Sequence, residues 1–183
     1  DRIVVHTGSC GKISREQALE LASDTMKLAL KALDENGLSD VHICPETMGK
    51  VNQLGTLDEV LTLCKISDKF APVVDFGHLN ARDRGILKTP DDFKYIFDRI
   101  SQELGAKYAE NLHCHFSKIM YTEMGEKKHL TFEDDFYGPE FGPLAKAIAD
   151  LGVSPTIICE SAGTQTDDAL AMKLMYENEI ARK

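Results

Sequence analysis

The chain has 183 residues, a formal net charge of −9 and a hydrophobic fraction of 43%. This composition is typical of one globular domain, here residues 1–183, and excludes a disordered chain. The apolar runs are far shorter than the about 20 residues of a membrane-spanning helix, and the first residues lack a signal-peptide pattern, so we expect a cytoplasmic protein with no membrane partner.

The cysteine content and the acidic charge exclude further classes of protein. Neither a disulfide framework nor a zinc ribbon is indicated, because the number of cysteines is odd and no C-x-x-C pair occurs. The five cysteines are Cys10, Cys44, Cys64, Cys114 and Cys159. The negative charge repels polyanions and argues against broad affinity for nucleic acids.

Short β-rich runs alternate with longer amphipathic stretches along the whole chain. The predicted strands are residues 2–6, 41–46, 72–76, 111–116 and 155–160. The predicted helices are residues 15–33 after Ser14, 57–64 after Thr56, 91–104 after Thr89–Pro90, 144–152 after Gly142–Pro143 and 167–183 after Thr166. Strands that alternate with helical crossovers are the signature of a parallel sheet.

Each predicted strand ends with a residue type that binds metal ions. These residues are His6, Glu46, Asp75, His115 and Glu160, and His78 follows Asp75 closely. Helix capping would be served equally by Ser, Thr or Asn, so five residues drawn only from His, Asp and Glu favour a metal site. In an open sheet functional groups cluster at one switch point, whereas in a barrel they come from the ends of many strands.

The strand ends therefore favour an α/β fold of the (β/α)8 TIM-barrel type over an open doubly wound sheet. The chain supplies about five βα units, so we expect a partial barrel whose N-terminal units are absent. Its open strand edges predict that a homo-oligomer or a missing N-terminal segment covers them.

Other motifs carry less information. His42 and His113 share strand faces with Glu46 and His115, and we interpret them as inward-facing, hydrogen-bonded structural residues. The run "HTGSCGK" lacks the spacing of a phosphate-binding P-loop. The run "GEKKH", residues 125–129, is expected to be a solvated loop whose lysines face an anionic substrate.

The motifs resemble the endonuclease IV branch of the xylose-isomerase-like barrels, from about the fourth strand onwards. "VVHTGS" is similar to the family's His-Pro-Gly-Ser element, "PETMGK" to its Glu-Asn/Thr element and "VVDFGH" to its Asp-Thr-x-His element. "HFSK" falls where the family has His-Leu-Asn-Asp, and "IICES" where it ends with a metal-binding glutamate. The resemblance covers nearly the whole chain.

The resemblance implies a cluster of two or three zinc ions. Four residues match one complete metal site, and they are Glu46, Asp75, His115 and Glu160. His6 and Glu46 match part of a second site, and His78 and His129 match part of a third. The family's aspartate in the third site is Lys127 here, and an ammonium group cannot bind a cation.

The leading functional hypothesis is metal-dependent hydrolysis of a phosphodiester in abasic DNA, as in DNA repair. Bound zinc would activate a water molecule, Glu46 and Glu160 would hold it, and His78 would act on the phosphate with His129. The alternative is isomerisation or epimerisation of a small sugar or sugar phosphate with one Mn²⁺ or Mg²⁺ ion, in which Glu46 and Glu160 exchange a proton. A third hypothesis is an inactive metal-binding barrel fragment.

Overall fold

A computed structural model describes residues 1–182 of the chain. The strands within these residues are β1 (Arg2–Val5), β2 (His42–Pro45), β3 (Val73–Asp75), β4 (His113–Phe116), β5 (Ile119–Thr122), β6 (Gly125–His129) and β7 (Thr156–Cys159). The helices are α1 (Arg15–Glu35), α2 (Leu57–Cys64), α3 (Phe76–Arg82), α4 (Pro90–Leu104), α5 (Ala106–Glu110), α6 (Phe141–Leu151) and α7 (Gln165–Ala181).

Five of the strands run parallel in the order β1-β2-β3-β4-β7. β1 pairs with β2, and β4 lies between β3 and β7. Two single bridges, from Ile43 to Phe70 and from Glu46 to Val73, connect these two parts of the sheet. The chain thus forms part of a (β/α)8 barrel, and the predicted fold class is confirmed.

The helices begin where local side-chain chemistry satisfies their free backbone amides. The hydroxyl of Ser14 accepts a hydrogen bond from the amide of Gln17, and the Gln17 side chain accepts one from the amide of Ser14, both over 3.2 Å. Thr56 and Glu59 form the same reciprocal pair at the start of α2. Such capping boxes are readable in a sequence, so these two predicted helix starts are confirmed.

Two groups of buried side chains fill the space between sheet and helices. The larger group packs β3, α3 and β4 against α4 and α6. Phe76 of α3 is centred 5.4 Å from Phe93 of α4, and Phe116 of β4 is centred 5.0 Å from Phe141 of α6. The smaller group packs β2 against α1 and α2. These groups lie outside the sheet, as the layered barrel architecture requires.

The prediction of a solvated loop at residues 125–129 is wrong. These residues form β6, which pairs antiparallel with β5 in a separate two-stranded sheet. Met120 pairs with Lys128 and Tyr121 pairs with Glu126, so Lys127 is an extra residue in β6. This β-bulge disrupts the strict alternation that marks a strand in a sequence, which explains why the strand was missed.

Several helix boundaries also differ from the prediction. α3 directly follows β3 and was missed because all seven of its residues are buried, which removes the polar face that reveals a helix. The short helix α5 was missed as well. α6 begins at Phe141, before the predicted start, since a proline such as Pro143 is tolerated in the first turn of a helix. α7 begins at Gln165, two residues before the predicted start.

The two outer strands of the parallel sheet each have one unpaired edge within the described residues. β1 pairs only with β2, and β7 only with β4. Ile3 in β1 is 48% exposed, and Ile158 in β7 is 45% exposed. The partial barrel therefore leaves apolar side chains and backbone groups of both edge strands uncovered.

Neither a helix long and apolar enough to span a membrane nor a disulfide bond occurs within residues 1–182. None of the described helices combines the length and apolar character that crossing a bilayer demands. Every cysteine is a free thiol, and all but Cys159 are buried.

Candidate metal centre

Four predicted ligands meet at the carboxyl ends of the parallel strands. Asp75 is the last residue of β3, His115 lies in β4, and Glu46 and Glu160 directly follow β2 and β7. One possible ligand atom from each residue lies within 4.8 Å of those of the other three. Parallel strands bring their carboxyl ends to one edge, which explains why residues so distant in sequence meet here.

His115 lies between two carboxylates of this group. Its Nδ1 is 2.8 Å from Oε1 of Glu46 and 3.1 Å from Oε1 of Glu160. Glu46 is 2% exposed and His115 is 7% exposed. The imidazole therefore occupies a position between acidic groups that a cation would also favour.

Asp75 provides a direct test of whether these residues fit a metal ion. Its Oδ1 accepts a hydrogen bond of 2.8 Å from the amide of His78 and so caps α3. Its Oδ2 is fully buried and has no hydrogen-bond partner among residues 1–182. Nδ1 of His78 is 3.4 Å away, but it is directed at the carbonyl of Thr47. A buried carboxylate oxygen without a partner is costly, and a divalent cation would satisfy it.

The pKa values in the group reflect the balance of burial and charge. Burial raises the pKa of Glu46, but the hydrogen bond from His115 and the charges of His115, His78 and His6 outweigh it, so this pKa lies below its ordinary value. Burial lowers the pKa of His115, but Glu46, Glu160 and Asp75 outweigh it and raise this pKa. Burial and the charge of Asp75 raise the pKa of Glu160. These shifts favour the protonated form of His115, and a metal ion would compete with that proton for the ring nitrogen.

His6 contacts the group from the exposed rim. Its Nε2 lies 3.1 Å from Oε2 of Glu46, and its side chain is 61% exposed. The structure thus brings together His6 and Glu46, the two residues that match part of the second metal site implied by the resemblance.

A second cluster of possible ligands lies beside the first and contains a residue that the sequence analysis missed. It consists of His78, Glu126 and His129. Nε2 of His78 is 3.6 Å from Oε2 of Glu126, and Nε2 of His129 is 3.9 Å from Oε1 of Glu126. In a regular strand, residues three positions apart face opposite sides. Because Lys127 is the extra residue of the bulge and is exposed, Glu126 and His129 face the same side. Glu126 therefore supplies a carboxylate to this cluster. It lies one position before Lys127, which replaces the aspartate of the third metal site that the resemblance implies.

Hydrogen bonds orient the two histidines of the second cluster. Nδ1 of His78 lies 3.0 Å from the carbonyl of Thr47, so it carries the proton and leaves Nε2 free towards Glu126. Nδ1 of His129 lies 2.8 Å from the hydroxyl of buried Ser117, and its Nε2 also faces Glu126. Fixing one ring nitrogen in this way is how proteins present the other to a metal ion. Thr47 and Ser117 thus orient these two histidines, a role that the spacing of residues in the sequence does not reveal.

His42 and His113 lie near the opposite ends of their strands. They line a cavity of about 250 Å³ together with Arg2 and Lys107. Neither ring forms a hydrogen bond with another group of residues 1–182, so the expectation that both are hydrogen-bonded stays a prediction. The rings face a cavity open to solvent instead of a packed interior. His113 contacts His115 edge to face, with ring centres 5.4 Å apart.

Three comparisons relate the chain to known proteins. A family model described as xylose isomerase-like TIM barrel matches residues 1–177. An uncharacterized protein of Methanocaldococcus jannaschii is 33% identical over 175 residues, which are 96% of this chain and 63% of that protein. The chain thus spans less than two thirds of this relative.

Two solved structures share the fold at low sequence identity. Mannonate dehydratase from Streptococcus suis serotype 2 superposes with a TM-score of 0.62 at 13% identity, over 93% of this chain and 52% of that one. The 3-keto-D-glucoside 4-epimerase of E. coli superposes with a TM-score of 0.54 at 15% identity, over 93% of this chain and 55% of that one. At such identities the similarity concerns the fold.

Proposed function

Since the chain belongs to the xylose isomerase-like TIM barrel family, we propose that it serves a metal-dependent enzyme that isomerises or epimerises a small sugar. The observation that carries this proposal is the group of four ligands around the unsatisfied Oδ2 of Asp75. Three carboxylates and one imidazole suit a hard divalent ion such as Mn²⁺ or Mg²⁺.

The residues around this centre suit proton transfer at a sugar carbon. A divalent ion bound there would polarise a carbonyl and a neighbouring hydroxyl oxygen of the substrate. Glu160 has a raised pKa and a side chain that is 34% exposed, so it can accept a proton from the carbon beside the carbonyl. In isomerisation Glu160 would return the same proton to the neighbouring carbon. Epimerisation would need a second group that already carries a proton to deliver it to the opposite face, and Glu46, whose Oε1 is 2.8 Å from Nδ1 of His115, could do so only in its protonated form.

Charge supports a small substrate over DNA. The net charge of the chain is −9. The segment that follows β6 carries Glu133, Asp134, Asp135 and Glu140, of which Glu140 pairs with Lys118. Such acidic surroundings repel a polyanion. The two sugar enzymes with the same fold motivate the choice of substrate class.

A specific observation keeps phosphodiester hydrolysis of abasic DNA as a second candidate. The cluster of His78, Glu126 and His129 adjoins the first group, since Nδ1 of His78 is 3.6 Å from Oε1 of Glu46. Two or more zinc ions at such a distance would suit the endonuclease IV type of chemistry, with a metal-activated water attacking the phosphate.

Metal counting combined with substrate assays distinguishes the two proposals. The purified protein would be analysed for bound metal and assayed with a panel of ketoses, aldoses and their phosphates, and with a duplex that contains an abasic site. We expect one exchangeable Mn²⁺ or Mg²⁺ per chain and turnover of a sugar that Glu160→Gln abolishes. Two or three zinc ions with cleavage of the duplex would favour the hydrolase, and absence of both metal and turnover would contradict both proposals.

A further inference from the structure

Arg82 is a buried cation that forms no ion pair with a carboxylate among the described residues. Its side chain belongs to α3 and is 8% exposed. No carboxylate of residues 1–182 lies within ion-pair distance of its guanidinium. We propose that Arg82 is a positioning residue for the candidate metal centre and that it acts by fixing the segment after β2, residues 47–53. This inference rests on the proposed metal centre.

The guanidinium binds four backbone carbonyls of that segment. One terminal nitrogen donates to the carbonyls of Met48 at 3.1 Å and Lys50 at 2.8 Å. The other donates to the carbonyls of Val51 at 3.0 Å and Gln53 at 3.2 Å. Burying a charged group without an ion partner is costly, and these four acceptors offset that cost only while the segment keeps its shape.

The fixed segment contacts ligands of both clusters. It begins next to Glu46, and the carbonyl of Thr47 accepts the hydrogen bond from His78. The carbonyl of Gly49 accepts a hydrogen bond of 2.9 Å from the amide of Glu126. A side chain at Gly49 would lie 2.6 Å from Cβ of Glu126 and 3.1 Å from the ring of His78. The segment therefore sets where three candidate ligands lie.

The position of Arg82 in α3 couples this segment to His78. The two residues are four positions apart, which places them on the same side of the helix one turn apart. His78 binds the start of the segment through Thr47, and Arg82 binds its middle and end. Both residues thus hold the segment to the helix. Loss of the Arg82 contacts would free a segment that starts beside Glu46, a ligand of the first cluster, and that also contacts His78 and Glu126.

Arg15 provides a matched control for this proposal. It donates to the carbonyls of Val51 and Gln53, over 2.6 Å and 3.2 Å, and forms a 2.7 Å ion pair with Glu59. Unlike Arg82, it binds neither Met48 nor Lys50, which are the residues beside Gly49. Arg15→Gln thus removes a charge and two hydrogen bonds from the same segment without releasing the part that contacts the ligands.

The test compares Mn²⁺ affinity by calorimetry and amide hydrogen exchange in Arg82→Gln, Arg15→Gln and the parent chain. Groups that orient metal ligands typically contribute a factor of about 10 to 100 in affinity. We expect Arg82→Gln to weaken Mn²⁺ binding at least about tenfold and to speed exchange of the Glu126 amide by a similar factor. Exchange in β4 should not change, and Arg15→Gln should bind Mn²⁺ as the parent does.

Two outcomes would overturn the proposal. One is an Arg82→Gln variant with a lower melting temperature but the Mn²⁺ affinity and Glu126 exchange of the parent, which would make Arg82 merely stabilising. The other is equal loss of affinity in Arg15→Gln. If Arg82→Gln does not fold, Arg82→Lys carries the test, because an ammonium keeps the charge but cannot bind four carbonyls. Failure of the parent to bind Mn²⁺ would contradict the metal centre itself, and the exchange measurement would still decide the role of Arg82.

Discussion

Asp75 combines two roles in one side chain. Its Oδ1 caps α3, whereas its buried Oδ2 has no partner within residues 1–182. Capping requires only an acceptor, which an asparagine also provides. Binding a divalent ion requires the negative charge. The two roles of this residue can therefore be separated by a single substitution.

We expect Asp75→Asn to weaken Mn²⁺ binding at least about tenfold while the fold is retained. The metal-free variant should be as stable as the parent or more stable, because the substitution removes a buried unpaired charge. Calorimetric titration with Mn²⁺ and thermal unfolding in a chelator measure the two effects. Unchanged Mn²⁺ affinity would mean that Asp75 only caps the helix.

His78→Ala is the companion variant at this scale. It should leave an ion on Glu46, Asp75, His115 and Glu160 in place and reduce substrate turnover, because His78 belongs to the second cluster. The same titration and a turnover assay decide this. Equal metal loss in His78→Ala and Asp75→Asn would show that both residues bind the same ion.

The β5–β6 hairpin matters most at the scale of elements, because its bulge determines which side chains reach the second cluster. Lys127 is the extra residue and is exposed, whereas the side chain of Glu126 is 13% exposed and lies between His78 and His129. A carboxylate introduced at position 127 would therefore face solvent.

If zinc titration fills the second cluster, as the hydrolase candidate requires, we expect Glu126→Gln to remove that ion and Lys127→Asp to leave it bound. Zinc titration with counting of bound ions per chain tests this, with the ion at Asp75 as an internal reference. If Lys127→Asp instead adds a bound ion, the bulge does not persist in solution and position 127 faces the site.

The sequence predicted the first cluster better than the second for a physical reason. Glu46, Asp75, His115 and Glu160 sit at the ends of regular parallel strands, whose geometry follows from hydrophobic runs and crossovers. Glu126 depends on one extra residue in a polar strand, and His78 depends on a fully buried helix. Neither feature leaves a periodic signal, so their environment could not be predicted from spacing.

At the scale of the whole molecule, the parallel sheet of residues 1–182 ends in two strands that each have one unpaired edge. Ile3 and Ile158 are about half exposed, at 48% and 45%. Exposed apolar side chains beside free backbone groups favour association with further polypeptide. The partial barrel itself was predictable from five strand and helix repeats, but the sequence carries no signal for a particular partner at its edges.

We expect β1 and β7 to be covered in the native assembly, either by further barrel polypeptide or by a second copy. Sedimentation velocity and hydrogen exchange of Arg2–Val5 and Thr156–Cys159 measure this, with β4 as the protected reference. A monodisperse monomer of native stability whose two edge strands exchange freely would contradict the expectation.

The separate sheet formed by β5 and β6 has an evolutionary consequence. The hairpin supplies Glu126 and His129, while the ligands around Asp75 all come from the barrel strands or the positions directly after them. Sequence change confined to this one hairpin can add or remove the second cluster without disturbing the first. Sequence change in this one hairpin would thus be enough to alter how many ions the chain can hold, while the barrel strands keep the four ligands of the first cluster.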